Sequence, residues 1–213
     1  MSEQARRGRR KSAEKHAAVL AAAKRLFFAN GVEGVAIEHI AAEAGVSKMM
    51  IYSNFKDKEG VFESMVSELS QGLQQIVGRI SLSTAGIEAA LNEAGEQILT
   101  MLSSEEMLAF DGLLTIEAQK HTAIAKRFYK AGPGQLQAVI ASNLTQRAER
   151  GELKLLDANE AAEDLIALWQ GVWPMERRFL QRGTPTRAQI KKKVAKGTRN
   201  FLALYGTGSN SEL

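Results

Sequence analysis

Cysteine is absent, which removes disulfides, thiolate metal sites and cysteine nucleophiles from consideration. Proline is scarce, at 3 residues, while Ala, Leu, Glu, Gln and Arg are plentiful, a mixture that favours helix over strand. No apolar run approaches the roughly 20 residues needed to cross a bilayer. The basic N-terminus has no apolar segment behind it, so it does not read as a signal peptide. These absences lead to the expectation of a cytoplasmic protein with no membrane partner. Hairpin turns, period-2 strands and internal repeats are also missing. The three histidines, His16, His39 and His121, fall in different helices with no second ligand at helix spacing, so neither a metal nor another cofactor is expected. Gly132-Pro133-Gly134 and Gly206-Thr207-Gly208 follow helices rather than strands, so no phosphate loop is implied. No nucleophile-elbow context supports a Ser-His-Asp site, and the chain does not read as an enzyme.

What is present is unevenly distributed. Residues 1–58 carry 11 Lys/Arg against 6 Asp/Glu, and the remainder carries 17 against 18. A basic head on a nearly neutral body points to a negatively charged partner at one end only. The head opens with Arg6, Arg7, Arg9, Arg10 and Lys11, almost without apolar residues, which predicts a flexible basic arm over 1–11.

From Ser12, a candidate N-cap, apolar residues recur at helical spacing through Val19, Ala22, Ala23, Leu26 and Phe27, up to Gly31. Short helices follow over 37–44 and, capped by Ser47, to about 54. Asp57 caps a long fourth helix to about 79. Beyond it the pattern stays helical. Helices are expected from Thr84 to 102, from the Ser103/Glu106 capping-box spacing to 119, over 122–131 and over 133–150. Asp157 and Glu160 open a helix to Arg182, kinked by Pro174 and ended by Gly183. Thr184-Pro185 starts a last one to about Tyr205. The tail after it should fray.

The stretch Ile37–Phe55, IEHIAAEAGVSKMMIYSNF, has the requirements of a helix-turn-helix. Ala41 is small where two helices touch, Gly45 is free to leave helical φ/ψ, and Ile37, Ile40, Ala44, Val46 and Ile51 seal the pair. With Leu26-Phe27, Ala44-Gly45-Val46-Ser47, Ile51-Tyr52, Phe55 and Lys58-Glu59, this region resembles the DNA-binding domain of the TetR family. Three positions depart. Val35-Ala36 replace the hydroxyl residues usual before the second helix, Met49-Met50 replace Gly-Thr, and Ser53 replaces His. The C-terminal half resembles the AefR-like branch more weakly, through Ile116-Glu117-Ala118, Phe128-Tyr129, Gly132-Pro133 and Gly151-Glu152-Leu153.

The resulting expectation is an all-α chain. A three-helix DNA-binding domain at 12–72, with its recognition motif at about 36–55, precedes a larger helical ligand-binding and dimerisation domain at 73–213. DNA contacts are expected from Ser47, Lys48, Met49, Met50, Tyr52, Ser53 and Lys58, and from Arg6, Arg7, Arg9 and Arg10 along the backbone or minor groove. Met49 and Met50 cannot make bidentate hydrogen bonds; either packing on thymine methyls or burial fits them. Gln97, Met101, Met107, Phe110, Leu114, Glu117, Phe128 and Trp173 are candidates for an effector pocket, and equally for core. Leu165, Leu168, Trp169, Val172, Ile190, Val194 and Phe201 supply apolar faces for a homodimer, which the resemblance implies. The function expected is a ligand-responsive repressor on a near-palindromic double-stranded operator, released by a small lipophilic effector. An architectural protein without effector, or an activator on the same fold, remains open.

Overall fold

Among the described residues of the computed structural model (3–80, 86–120 and 122–207), the chain is all-α. The helices are α1 (Glu3–Asn30), α2 (Ile37–Ala44), α3 (Lys48–Phe55), α4 (Lys58–Ile80), α5 (Ile87–Leu102) and α6 (Glu105–Glu117). They continue with α7 (Thr122–Ala131), α8 (Pro133–Glu149), α9 (Ala158–Gln170), α10 (Trp173–Leu180) and α11 (Arg187–Tyr205). The only strand-like pairing among these residues is an isolated bridge between Leu153 and Gly206. Two compact units result, Met1–Ser70 with Ala109–Phe128, and Gln71–Leu108 with Tyr129–Leu213. A single boundary drawn near residue 72 has no means of expressing a segment that rejoins the first unit after an excursion. Segment 109–128 does so.

In the first unit Val19, Ala22, Ala23 and Phe27 of α1, Ile40 of α2, Ile51 of α3, and Val61 and Phe62 of α4 are all buried, and α1 packs on α2. Phe27 and Phe62 meet edge to face at 6.1 Å, the arrangement that aromatic quadrupoles favour. His16 stacks on Phe55 at 4.6 Å and so belongs to the packing. From segment 109–128, Phe110, Leu113 and Leu114 are buried. Glu117, 2% exposed, accepts the Val32 backbone N–H at 3.3 Å.

The second unit is organised around α11, which packs on α5 and α9, with α8 on the other side of α9. Trp169 lies at its centre, fully enclosed, with its indole N–H donated to Thr198 Oγ1 at 3.1 Å. A Cβ built on Gly95 would lie 2.7 Å from this ring, and one on Gly197 2.8 Å from it. Glycine at both places is what lets α5 and α11 close on a tryptophan. At the far end of α11, Lys154 N–H reaches Tyr205 O at 2.7 Å, and the Tyr205 hydroxyl donates to Asp164 Oδ2 at 2.6 Å. That hydrogen bond, with burial and the Asp164 and Glu160 charges, pushes the phenol up to about 12.

Several local expectations are corrected. The backbone is helical from Glu3, so no cap at Ser12 starts α1. Alternating Gln, Ala, Arg and Lys have good helix propensity, and the helix they extend is anchored by its buried half. α6 starts one residue later than the Ser103/Glu106 spacing implies, because Ser104 Oγ accepts the Met107 N–H at 3.1 Å. α11 is capped by Thr186, not Thr184, with Gln189 completing a capping box. Pro174 does not kink a continuous helix. α9 stops at Gly171 (φ 52°), and Pro174 sits in the first turn of α10, where its missing N–H has no bond to lose. α10 then ends at Gln181, in left-handed geometry, ahead of Gly183. The Thr84 start and the tail from residue 208 lie outside the described residues.

The dimerisation set needs the largest correction. Leu165, Trp169, Ile190, Val194 and Phe201 are buried in the core of their own chain. Leu168 is half-buried against it, and of the seven only Val172 is exposed. The partners of these apolar faces are α5, α8, α9 and α11 of the same subunit.

Candidate nucleic-acid interface

α2 ends because Gly45 adopts φ 64°, a left-handed conformation open to glycine at no steric cost, while its N–H returns to Ala41 O and Ala42 O. Val46 N–H also returns to Ala41 O at 3.0 Å. Ser47 is then extended, and its hydroxyl accepts the Met50 N–H at 3.3 Å, capping α3. Ala36, at the head of α2, makes no side-chain cap, as the Val35-Ala36 departure implies. Val35 is buried instead. Ile51 and Phe55 anchor α3 inward.

The opposite side of α3 is open. Met49 is 80% exposed and Tyr52 51% exposed, whereas Met50 is half-buried. The polar groups beside them are turned back on the protein. Lys48 Nζ donates to Glu38 Oε1 of α2 at 3.0 Å. This hydrogen bond holds the Glu38 carboxyl below the usual carboxylate range and raises the Lys48 ammonium. Ser53 Oγ donates to Met50 O at 3.0 Å, and Asn54 Nδ2 to the same oxygen at 2.8 Å. Lys58 Nζ reaches Glu33 O at 3.3 Å. Arg10 pairs with Glu14 one turn on, at 3.1 Å. The side chains of Arg6, Arg7 and Arg9 lie outside the described residues.

Two participants escaped the sequence reading. Glu38 is ten positions from Lys48, a separation with no helical meaning, and only the turn brings the pair together. Lys56 ends α3 with φ 74°, a conformation a non-glycine residue rarely holds. Its exposure continues the outer face of α3. The family match at Phe55 and Lys58 gave no reason to single it out.

The candidate pocket residues do not form one set. Gln97 and Met101 line an open groove of about 980 Å³ between α5 and α11, whose walls also carry Glu93, Glu96, Arg187 and Lys191. Asn92 Oδ1, on the same groove, is buried without a partner among the described residues. Trp173 is elsewhere in that unit, half-buried under Lys193 Nζ at 5.4 Å from its ring. Met107 is half-buried in the first turn of α6. Phe110, Leu114, Glu117 and Phe128 belong to the first unit, where Phe110 and Phe128 meet edge to face at 5.0 Å. A further polar cluster ties α10 to the start of α6. Arg177, 6% exposed, donates to Glu105 Oε1 at 3.0 Å, and the Thr184 hydroxyl donates to the same oxygen.

Known proteins reproduce both halves. Residues 19–65 match the profile of the bacterial regulatory proteins of the tetR family. Residues 89–207 match the C-terminal domain of AefR-like transcriptional repressors. A solved chain from Mesorhizobium loti MAFF303099 with a TetR-family transcriptional-regulator designation superposes with TM-score 0.81 at 25% identity, covering 92% of this chain and 98% of that one. The flavonoid-responsive regulator FrrA gives TM-score 0.75 at 27% identity, over 91% and 97%. The HTH-type transcriptional repressor BepR of Brucella suis biovar 1 (strain 1330) is 38% identical over 61 residues, a match spanning 29% of each protein.

Proposed function

Because the chain belongs to the TetR family of bacterial transcriptional regulators, with an AefR-like C-terminal domain, we propose that it is a ligand-responsive repressor acting as a homodimer on a near-palindromic operator. It is a DNA-binding regulator and not an enzyme. The observation that carries the DNA reading is the α2–turn–α3 geometry, in which Ile51 and Phe55 fix α3 and leave Met49, Tyr52 and Lys56 outward. A helix held in this way enters the major groove by its N-terminal residues. Two copies related by a two-fold axis read two half-sites about one helical turn (~34–36 Å) apart. The basic head supplies the sequence-independent attraction to phosphates, through Arg6, Arg7, Arg9 and Arg10.

For the dimer, the supporting surface is the outer face of α10. Val172, Met175 and Phe179, spaced by three and four residues, are all exposed, opposite the buried Arg177. For ligand response, the supporting element is α6. Its start is held in the second unit through Glu105, and its end in the first through Glu117 on Val32. A compound that favours a different placement of α6 shifts the population of reading heads able to fit the operator.

The effector class follows from the groove beside Gln97 and Met101. Apolar Met101 and Ile190 with acceptors on Asn92, Glu93 and Glu96 suit a small lipophilic compound that carries hydroxyl donors. The name of FrrA, a flavonoid-responsive relative, agrees with that class.

The experiment is operator selection from a random duplex pool with the full chain, followed by titration of the selected duplex with a panel of hydroxylated aromatic compounds. A palindromic site, steep loss of affinity with salt, and release by one compound are expected. Binding that no compound alters would favour the effector-independent alternative. Failure to enrich any sequence would end the repressor reading.

A further inference from the structure

The recognition helix is poor in free hydrogen-bond donors. Of its outward polar side chains, Lys48 is held by Glu38, Ser53 donates to the Met50 carbonyl, and the Asn54 amide donates to the same carbonyl. What projects without such a tether is the Tyr52 phenol and a hydrocarbon and thioether chain, Met49, 80% exposed at the second position of α3. Tyr52 follows one turn later on the same face. An exposed methionine here is not explained by packing, since Ile51 and Phe55 already fill the inward side.

In the major groove the one apolar feature a base pair offers is the C5-methyl of thymine; every other edge atom is a donor or acceptor that a thioether satisfies weakly. The residues near the N-terminus of a recognition helix are those that reach base edges. We infer that Met49 is a specificity-determining residue that reads a thymine methyl group in each operator half-site, an inference that rests on the DNA-binding reading above. Its flexible, unbranched chain suits it to follow the methyl edge without a fixed hydrogen-bond geometry. Such a contact is non-directional, so discrimination at that position comes from burial of the methyl and of Met49 itself. The same argument does not extend to Met50, which is half-buried and whose backbone is engaged by the Ser47 cap.

The test uses the full chain and the selected duplex, with thymines replaced one at a time by uracil, which keeps every hydrogen-bonding atom and lacks only the methyl. At one position per half-site, uracil weakens the wild-type complex about fourfold, and uracil in both half-sites weakens it by roughly tenfold or more. Met49→Ala binds the thymine and uracil duplexes alike, at about the affinity of wild type for uracil. Met49→Leu, which keeps an apolar side chain, retains preference for thymine. Thermal unfolding of both variants should match wild type, because the side chain is exposed. Wild-type affinity insensitive to uracil at every position would overturn the inference while leaving DNA binding intact. Uracil sensitivity that persists in Met49→Ala would also overturn it, by assigning the methyl to another residue. If Met49→Ala binds no duplex, Met49→Leu decides. Binding without thymine preference would count against the inference, and binding with it would support it. If the wild type enriches no sequence at all, the DNA-binding reading itself fails.

Discussion

Helices α3 and α11 dispose of their apolar side chains in opposite ways. α3 buries Ile51 and Phe55 and leaves Met49 in solvent. α11 encloses Ile190, Val194 and Phe201 within its own subunit and carries few large apolar groups outward, Leu204 among them. In the first unit α3 is a single short helix with one core beside it, so helical period alone decides which of its sides faces in. In the second unit an apolar face has two possible partners, another helix of the same chain or a second copy. Periodicity identifies the face but not what covers it. The free surface of the first unit is therefore read from sequence more safely than that of the second.

The sharpest way to break this comparison is to place one charge on each kind of face. Val194→Asp puts an unpaired carboxylate against the Trp169 cluster and should cost about 4 kcal/mol or more, enough to unfold the second unit or prevent its expression as folded protein. Phe179→Asp, on the exposed face of α10, should change subunit stability by no more than about 0.5 kcal/mol. It should instead weaken self-association, and operator binding with it, through loss of the two-site advantage. Thermal unfolding with sedimentation separates the two outcomes. A Val194→Asp protein that stays folded but becomes monomeric would return Val194 to the interface.

The helix-turn-helix was legible because its constraints are local: Gly45 for a left-handed turn, Ser47 for a cap, Ala41 for a close crossing. Caps were legible to within a residue or two. Ser104 and Thr186 won over Ser103 and Thr184 because neighbouring residues of equal capping ability compete and tertiary contacts choose, as the Thr184 bond to Glu105 shows. What was not legible depends on contacts distant in sequence. Glu117 reads as surface or pocket until Val32 is placed against it. Glu38 has no visible relation to Lys48 until the turn folds. Trp169 reads as an interface anchor until Gly95 and Gly197 are seen to make room for it.

A smaller effect tests whether the end of α11 is likewise internal. The Tyr205 hydroxyl bond to Asp164 raises the folded-state phenol from its ordinary 10.0 to about 12. A group raised in this way stabilises the fold fully below the unfolded value and ceases to do so as pH climbs from 10.0 to about 12. Tyr205→Phe should cost about 1 kcal/mol at neutral pH. The gap in melting temperature between variant and wild type should narrow above about pH 10. A gap that stays constant to the highest pH measurable would mean that the ring, and not the hydroxyl, carries the contribution.

The smallest expected effect returns to the exposed face of α3. Glu38 and Lys48 form a solvent-exposed pair at 3.0 Å, so removing it should leave the melting temperature almost unchanged. Its consequence for DNA binding is separate, because Glu38 both occupies the Lys48 ammonium and adds a negative charge beside the reading helix. Glu38→Gln should tighten operator binding about threefold at low salt, and the gain should shrink as counterions screen the phosphates. Acidification is no substitute for the substitution. The Glu38 carboxyl is held below its usual range by the hydrogen bond to Lys48, so the pair persists above that lowered value and is lost only as pH falls through it. Between about pH 6 and 8 the wild-type affinity should therefore show no change traceable to Glu38. Adding Lys48→Ala to Glu38→Gln should abolish the part of the gain due to the freed ammonium and leave the part due to the lost carboxylate. Anisotropy titrations of the two variants across salt concentrations separate these parts. If Glu38→Gln leaves affinity unchanged at the lowest salt, Lys48 does not reach the DNA backbone, and reading by α3 rests on Met49 and Tyr52.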